Sequence, residues 1–368
     1  MRSSHTPRFG AVGPGETEAV GFLDSVRGVL WARRRRPDQV RYLVSLAHER
    51  FQPDDLLKQA VEAEQAGFDG VCGSDHLEPW WAPGAPTPAA CGNAWVWLGA
   101  VGHATHRVAL GTAVTGLLHR YNPVVVAQQV ATLENLFPGR AFLGVGTSEA
   151  MNEIPAGLEW PSPADQLRRT EEALTIVTRL LDGQTVDFEG EFFRAKRARL
   201  YVKLDRRPPV YMSAFHERAA EVAGRLADGV WSLGDPQKAA PVIAAYRRGA
   251  EQVGRQPGEI VLQTLASSGA DDEDALAGSR EWKGTLVDEH YTEAIADPAE
   301  VGRNGEQVSD EQFKASAIVS ADADTHVKKI RMLEKLGAST VCVMNCSGSD
   351  PHGLIRMYGE RVLPELRS

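Results

Sequence analysis

The most informative segment of the chain is Leu143-Gly-Val-Gly-Thr-Ser-Glu-Ala-Met-Asn-Glu153. It begins as a short apolar strand and continues directly into a carboxylate, Glu149, and an amide, Asn152. Glycines within the strand allow a ligand to approach the backbone closely. In α/β barrels the catalytic side chains lie where parallel strands end, so this segment predicts one strand end of an active site.

The same design occurs earlier in the chain, in Gly70-Val-Cys-Gly-Ser-Asp-His-Leu-Glu-Pro-Trp80. Asp75 and His76 follow the predicted strand, and an imidazole can accept a proton from a hydroxyl group near neutral pH. Two such strand ends predict a shared active site. The residues alone leave open a structural role for His76 and a helix-starting role for Glu149.

From residue 41 onward, apolar strand-like runs alternate with amphipathic helical runs, which predicts parallel strands with helices outside. The predicted strands are 42–46, 70–73, 108–114, 141–146, 209–213, 229–232, 260–264 and 340–344. The predicted helices are 53–67, 95–105, 123–136, 163–181 and 323–336, and a hairpin with its turn at Gly190 spans 186–200. The pattern predicts a single (β/α)8 TIM barrel over residues 41–368, with a polar insertion, 267–316, after strand seven.

The composition, 43% hydrophobic and 24% charged over 368 residues, is that of an ordinary globular protein. The net charge of −9 argues against nucleic acid and anionic membranes as partners. No apolar run approaches the roughly 20 residues that span a bilayer. Cys72, Cys91, Cys342 and Cys346 lack paired spacing, so we expect buried free thiols and neither a metal site nor disulfides.

Residues 1–40 form the least regular part of the sequence. The arginine run Arg33–Arg36 is not followed by an apolar stretch and a small-residue cleavage site, so we expect no export and a cytoplasmic protein. The segment from Gly10 to Gly15 is rich in glycine and proline. The sequence therefore predicts an extension that is partly disordered or packs outside the barrel.

Three motifs together carry a family resemblance. They are Ser74-Asp-His-Leu-Glu-Pro-Trp80, Arg120-Tyr-Asn-Pro123 and Phe142-Leu-Gly-Val-Gly-Thr-Ser-Glu-Ala-Met-Asn-Glu153. In this order they resemble the coenzyme F420 (deazaflavin)-dependent dehydrogenases of the luciferase-like superfamily, a group with glucose-6-phosphate, alcohol and hydroxymycolic acid dehydrogenases. The resemblance implies a luciferase-like TIM barrel, a homodimer, and hydride transfer between an alcohol or carbonyl carbon and C5 of the deazaflavin.

The resemblance also implies roles for individual residues. His76 matches a catalytic histidine that takes the hydroxyl proton, Glu149 a catalytic glutamate that serves the proton balance at N1 of the coenzyme, and Trp80 an aromatic residue that holds the reacting groups. The roles of His76 and Glu149 can be exchanged. The positions implied to bind the coenzyme are Asp75, Ala113, Val114, Thr147, Ser148 and Asn152, with a bulge and a non-prolyl cis peptide in the segment Gly111-Thr-Ala-Val114.

Two departures from the family pattern qualify these expectations. Ser213-Ala-Phe-His216 stands where the family has a glycine-containing turn beside the coenzyme phosphate. Phe215 must therefore leave room for the phosphate, and His216 or Arg218 must replace some of the contacts that the turn makes with it. Flavin mononucleotide, in a luciferase-like monooxygenase, therefore stays as the alternative cofactor. A barrel that binds a ligand or partner without catalysis is the remaining alternative.

The second departure concerns the substrate. Asp235, Thr292 and Ser316 occupy positions at which the sugar-phosphate enzymes place two lysines and an arginine. A phosphate dianion facing Asp235 is disfavoured, so we expect an uncharged or cationic alcohol or carbonyl substrate and not a phosphate ester. A rearranged loop carrying Lys238, Lys283 or Lys314 is the alternative.

Three weaker features remain. Trp95 and Trp97 fit core packing better than a pocket wall. His119 fits a surface residue as well as a site residue. The run Asp271-Asp-Glu-Asp274 is predicted to form a solvated turn.

Overall fold

The computed structural model describes residues 39–82, 84, 88–348 and 350–368. The predicted extension, residues 1–40, lies almost entirely outside this range, as does the arginine run at residues 33–36. The predictions for that segment are therefore not addressed by the structure.

The described strands are β1 (Arg41–Leu46), β2 (Gly70–Gly73), β3 (Ala109–Thr112), β4 (Thr115–Gly116), β5 (Leu143–Gly146), β6 (Val186–Glu189), β7 (Arg194–Ala198), β8 (Val210–Ser213), β9 (Gly229–Leu233), β10 (Glu259–Ser267), β11 (Ile318–Val319) and β12 (Thr340–Asn345). The α-helices are α1 (Pro53–Ala66), α2 (Ala94–Ala104), α3 (Pro123–Leu136), α4 (Ala150–Glu153), α5 (Pro163–Leu181), α6 (Glu217–Leu226), α7 (Pro236–Gln252), α8 (Asp272–Ala277), α9 (Glu289–Thr292), α10 (Pro298–Gly305), α11 (Asp310–Ser316), α12 (Ala323–Lys335), α13 (Pro351–Met357) and α14 (Leu363–Leu366). A 3₁₀ helix spans Arg280–Leu286, and a π-helical turn spans Tyr358–Val362.

The main sheet closes into a barrel. Its strand order is β3-β2-β1-β12-β10-β9-β8-β5-β4, and all neighbours in this order pair in parallel. A parallel bridge between Leu110 and Ala141 joins β3 to the chain entering β5 and completes the ring. Strands β3 and β4 occupy a single strand position of the ring, because the strand is interrupted at residues 113 and 114. The ring therefore has eight strand positions, which confirms the predicted (β/α)8 barrel.

Large side chains fill the barrel interior. The Phe142 ring lies 5.8 Å from the Tyr211 ring and 6.2 Å from the Trp231 ring. A Cβ atom on Gly111 would lie 2.4 Å from Phe142, so the filled interior requires glycine there. Outside the strands, helices bury apolar faces such as Leu56 on α1, and each fully buried leucine contributes about 1.5–3 kcal/mol.

Polar caps followed by proline fix where several helices begin. Asn122, Ser162 and Asp235 each accept a hydrogen bond from the first turn of the following helix, and each precedes a proline at the first helical position. Proline suits this position because its missing N–H group would have no partner inside the helix. The predicted bounds 123–136 and 163–181 are confirmed.

The structure corrects three details of the predicted fold. Predicted strand three ends at Thr112, whereas predicted strand seven extends to Ser267. The insertion is not merely a polar connection, because it carries short helices and buries Trp282 and Phe313 in an apolar cluster that also contains Trp80 and Trp81. Residues 271–274 are exposed, as predicted, but they form the start of a helix and not a turn: Asp271 caps α8, and the acidic residues after it lie at the helix's positive end.

The prediction of buried free thiols is confirmed with one correction. All four cysteines are free, but Cys91 is partly exposed, whereas the other three are buried. Among the helices that the structure describes, none combines the length and apolar character needed to cross a bilayer.

Candidate active site

A cavity of about 600 Å³ opens at the carboxyl edge of the barrel strands. It brings together nearly all of the site residues predicted from the sequence: Asp75, His76, Trp80, Ala113, Val114, Thr147, Ser148, Glu149, Phe215, His216 and Arg218. Asp235, Lys238, Thr292 and Ser316 also line it. Asn152 is the exception, since it is 1% exposed and lies behind His76 and Glu149.

His76 and Glu149 form the chemical centre of the cavity. The His76 Nε2 atom lies 3.9 Å from the Glu149 Oε2 atom. Both side chains contact Asn152, whose Nδ2 lies 2.9 Å from Glu149 Oε2 and 3.3 Å from His76 Nδ1. The two strand ends predicted to share a site therefore meet through one imidazole and one carboxylate, an arrangement suited to general acid–base catalysis.

Glu49 is a third member of this centre that the sequence reasoning missed. Its side chain is 1% exposed, its Oε2 accepts a hydrogen bond from Ser74 Oγ at 2.5 Å, and its Oε1 lies 3.7 Å from His76 Nε2. Within the described part of the chain, Oε1 has no hydrogen-bond partner. Two carboxylate side chains, Glu49 and Glu149, therefore flank one imidazole nitrogen of His76. The available signal was position, because Glu49 follows β1 closely at the same barrel edge.

An aromatic wall covers the chemical centre. The Trp80 ring lies 5.3 Å from the His76 ring and 5.9 Å from the Tyr291 ring, and Phe215 meets Tyr291 edge-on at 5.5 Å. Burial, with the charges of Glu149 and Asp288, raises the pKa of Tyr291, so its neutral hydroxyl donates to the Thr285 carbonyl at 2.9 Å. The insertion thus supplies part of the cavity wall facing the catalytic histidine candidate.

Asp75 is held rigidly beside the centre. Its Oδ2 accepts from Thr115 Oγ1 at 2.7 Å, and its Oδ1 accepts from Tyr121 Oη at 3.2 Å. Arg120 donates to the Asp75 carbonyl at 2.5 Å, and Glu153 accepts from the Arg120 backbone N–H at 2.8 Å. The three sequence motifs are therefore joined by direct contacts, with the Arg120-Tyr121 pair acting as the connection.

The glycines of the opening segment are explained by the neighbouring strand. The Ala113–Val114 peptide is cis, as the resemblance implies, and both residues line the cavity. A Cβ on Gly144 would lie 2.2 Å from the Thr112 carbonyl oxygen, and one on Gly146 would lie 2.8 Å from Val114 Cγ2. Glycine at both positions lets the interrupted strand lie directly against β5.

A helix begins at another wall of the cavity. His216 occupies the N-cap position of α6 without a side-chain capping bond, and Phe215, His216 and Arg218 all line the cavity. Uncapped N–H groups of a helix and a nearby guanidinium group form a suitable setting for an anion. The departure Ser213-Ala-Phe-His216 is therefore compatible with a bound phosphate group.

The remaining wall carries more acidic than basic groups. Lys238 Nζ forms an ion pair with Asp288 at 3.1 Å, and Asp235 caps α7 by accepting from the Gln237 N–H at 2.8 Å. Of the other lysines considered from the sequence, Lys283 pairs with Asp310 at 2.7 Å away from the cavity, and Lys314 is exposed.

The weaker sequence candidates lie elsewhere. Trp95 and Trp97 are buried in the main core, which confirms the core interpretation. His119 is exposed and its Nε2 contacts the Ala156 carbonyl at 3.2 Å. No cluster of three metal-binding side chains occurs within residues 39–368 as far as the structure describes them.

A second cavity of about 480 Å³ is lined by residues that include Ser268, Asp274, Asp350 and Arg361. Its carboxylates already have partners. Asp274 accepts from the Ala270 N–H at 2.9 Å, and Asp350 pairs with Arg356 at 3.0 Å. We therefore place the chemistry in the larger cavity.

A closed parallel barrel whose carboxyl edge holds a histidine between carboxylates has the architecture of an α/β-barrel enzyme. The chain belongs to the luciferase-like monooxygenase family, whose model matches residues 29–340. It is 37% identical over 337 residues to the F420-dependent glucose-6-phosphate dehydrogenase of Nakamurella multipartita, covering 90% of this chain and 98% of that protein.

Solved structures agree with this assignment. An F420-dependent secondary alcohol dehydrogenase, determined in complex with an F420-acetone adduct, superimposes with a TM-score of 0.85 at 32% identity, covering 90% of this chain and 100% of that one. The coenzyme F420-dependent tetrahydromethanopterin reductase from Methanopyrus kandleri shares the fold, with a TM-score of 0.73 at 20% identity over 89% of this chain and 99% of that one.

Proposed function

We propose that the protein is an F420-dependent oxidoreductase that transfers a hydride between a substrate alcohol or carbonyl carbon and C5 of the deazaflavin. The observation that carries this proposal is the His76–Glu149 pair, 3.9 Å apart, at one wall of the large cavity. The names of the relatives, an F420-dependent glucose-6-phosphate dehydrogenase and an F420-dependent secondary alcohol dehydrogenase, support it.

The cavity residues fit a deazaflavin. Ala113 and Val114 provide an uncharged surface for a flat ring, and the glycines of β5 keep the strand beside that surface free of side chains. The start of α6, with Arg218, suits the coenzyme phosphate. When bound, F420 supplies a hydride donor or acceptor at C5.

The chain's own residues would manage the proton and exclude water. In the oxidation direction His76 Nε2 takes the substrate's hydroxyl proton, while Glu49 and Glu149 stabilise the resulting imidazolium. Glu149 serves the proton balance of the coenzyme, and Trp80 covers the centre against solvent. The opposite assignment, with Glu149 taking the hydroxyl proton, is distinguished by the variants described below.

For the substrate, we propose an uncharged or cationic alcohol or carbonyl compound and not glucose 6-phosphate. Lys238 is the single lysine of the cavity wall among the residues described, and Asp288 neutralises it. A phosphate dianion would also face Asp235, and like-charge contact disfavours binding strongly. The proposal differs here from the names of the sequence relatives, and the ion pair is the reason.

The deciding experiment is an equilibrium titration of the purified protein with oxidised F420 and, separately, with flavin mononucleotide, followed by fluorescence. We expect tight binding of F420, followed by its reduction in the presence of a neutral alcohol and much slower reduction with glucose 6-phosphate. Binding of flavin mononucleotide alone would favour an oxygen-dependent luciferase-like monooxygenase, for which the bulky Phe215-His216 turn is the motivating departure. Turnover of glucose 6-phosphate at least as fast as that of neutral alcohols would overturn the substrate proposal.

We also propose that the protein is a homodimer through the outer faces of α2 and α3. Helix α2 contains no acidic residue, lysine or arginine, and its Val96 is 78% exposed. On neighbouring α3, Val125 is 45% exposed, and the only charged residue, Glu134, is buried. An uncharged exposed surface on a chain of net charge −9 suits burial against a second copy.

Light scattering after size-exclusion chromatography tests this interface. We expect a dimer for the native protein and a monomer for Val96→Glu, because a charge in the interface would be left unpaired. Val253→Glu, at a position 48% exposed elsewhere on the surface, is the control and should stay dimeric. A native monomer, or a dimer unaffected by Val96→Glu, would contradict the proposal.

A further inference from the structure

Asn152 uses both ends of its side-chain amide within the chemical centre. Its Oδ1 accepts from the Leu77 N–H at 2.7 Å and from the Glu78 N–H at 3.4 Å. Its Nδ2 donates to Glu149 Oε2 at 2.9 Å and lies 3.3 Å from His76 Nδ1. Asn152 is 1% exposed, so its side-chain amide is bonded to protein atoms and not to solvent.

The orientation of this amide is fixed by its partners. Backbone N–H groups can only donate, so the atom facing Leu77 and Glu78 must be the oxygen. The reversed orientation would place an NH₂ group against two donors and an oxygen against the Glu149 carboxylate. The donor end of Asn152 is therefore directed at Glu149 and His76.

His76 Nδ1 consequently has two neighbours of opposite character at equal distance. The Glu78 carbonyl, at 3.3 Å, can only accept, and Asn152 Nδ2, also at 3.3 Å, can only donate. An Nδ1–H group is satisfied by Glu78 and leaves the Nε2 lone pair free, whereas an Nδ1 lone pair is satisfied by Asn152 and places the proton on Nε2. Each neutral tautomer thus has a partner.

We propose that Asn152 is a positioning residue that holds the Glu149 carboxylate and lets His76 adopt either neutral tautomer. With the Nε2 lone pair free, the imidazole takes a proton from a hydroxyl oxygen, so that the O–H bond breaks and the Nε2–H bond forms. The resulting imidazolium keeps its Nδ1–H group on the Glu78 carbonyl. In the reverse direction this imidazolium returns its Nε2 proton to the carbonyl oxygen, while the reduced coenzyme, when bound, would supply the hydride to the carbonyl carbon. This role rests on the proposed function, and the coenzyme-binding role of Asn152 stays a prediction beside it.

The primary test is Asn152→Asp. This variant keeps an acceptor for Leu77 and Glu78 but replaces the donor directed at His76 and Glu149. We expect kcat to fall at least about tenfold, since misplaced catalytic groups lose this much or more, while the dissociation constant for F420 changes less than about threefold. The pH dependence of kcat should also shift, which a purely structural role would not require.

Asn345→Asp is the matched control. Asn345 is equally buried, accepts from the Ser347 N–H at 3.1 Å and donates to the Pro351 carbonyl at 2.9 Å, but it has no contact with His76 or Glu149. We expect its kcat to stay within about twofold of the native value. An equal loss in both variants, or weakened F420 binding with unchanged kcat in Asn152→Asp, would overturn the positioning role.

A second measurement separates this role from the proposed function. The ¹⁵N spectrum of coenzyme-free, histidine-labelled protein, with His76 assigned by loss of its signals in His76→Gln, reports the protonation of each ring nitrogen. We expect both neutral tautomers of His76 in the native protein, whereas in Asn152→Asp, where Nδ1 faces two acceptors, we expect Nδ1 to be protonated throughout and the neutral tautomer with its proton on Nε2 to be lost. An unchanged spectrum would overturn the inference. The expected spectra together with failure to bind F420 would support the positioning role and overturn the proposed function.

Discussion

The two ends of the active-site cavity are built in different ways. The catalytic end comes from strand ends of the barrel, where His76, Glu149 and Glu49 lie on loops held by short hydrogen bonds. The substrate end comes largely from the insertion, where Asp288 precedes the short helix α9 and Tyr291 lies within it, just after a 3₁₀ helix. If the proposed function holds, we expect the barrel to fix the chemistry and the insertion to adjust what is bound.

The largest effect is expected from a substitution at the catalytic end of the cavity. We expect His76→Ala to lower kcat by about 10²–10⁴-fold, the usual range for loss of a general acid or base, while F420 still binds. Steady-state kinetics with the best neutral alcohol, and a fluorescence titration, measure the two effects. His119→Ala, an exposed histidine outside the cavity, is the control.

The outcome for Glu149→Gln distinguishes the two assignments of proton transfer. A larger loss in His76→Ala than in Glu149→Gln supports His76 as the group that takes the hydroxyl proton, and the opposite order supports Glu149. Native kcat in both variants would exclude catalysis by this pair and assign the proton transfer to other residues, whereas binding of F420 without turnover of any alcohol by the native protein would favour a barrel that only binds its ligand.

The substrate end can be changed without touching the chemistry. Asp288→Asn releases Lys238 from its ion pair, so we expect kcat/KM for glucose 6-phosphate to rise about tenfold, equivalent to about 1.4 kcal/mol. The value for a neutral alcohol should change little. Asp310→Asn, which releases Lys283 outside the cavity, is the matched control. No gain for the phosphate ester in Asp288→Asn would show that the ion pair does not set this preference.

A smaller effect is expected at the aromatic wall. Tyr291→Ala removes the ring that contacts both Trp80 and Phe215, so we expect KM for the alcohol to rise several-fold while kcat and F420 affinity change less. Tyr291→Phe keeps the ring and loses only the bond to the Thr285 carbonyl, so its KM should stay near the native value. Equal losses in the two variants would assign the effect to the hydroxyl instead.

The catalytic end of the cavity could be predicted from the sequence more fully than the substrate end. The strand ends could be predicted because Asp75, His76 and Glu149 lie in short motifs directly after apolar runs. Glu49 was missed because its role depends on distance to His76, which no local pattern records. The insertion lacks a clear hydrophobic period, so its short helices and the pairing of Lys238 with Asp288 could not be predicted before the chain was folded.

The smallest effect is expected outside both ends of the cavity, at the contact between α1 and α13. It tests whether the stability of the barrel can change while the activity of the site stays the same. Burial alone would lower the pKa of His352, but hydrogen bonds and the charges of Glu62 and Asp55 outweigh it and raise that pKa. The protonated histidine therefore stabilises the fold at low pH, fully below its ordinary pKa of about 6.5, and this contribution is lost as the pH rises through the raised value. Because the His352, Asp55 and Glu62 side chains are partly exposed to solvent, which screens their charges, we expect His352→Gln to cost under about 1 kcal/mol at pH 5.5 and close to nothing at pH 9, with unchanged kcat. Thermal unfolding at the two pH values measures this, and an equal destabilisation at both would show that packing, not the ion pair, accounts for the loss.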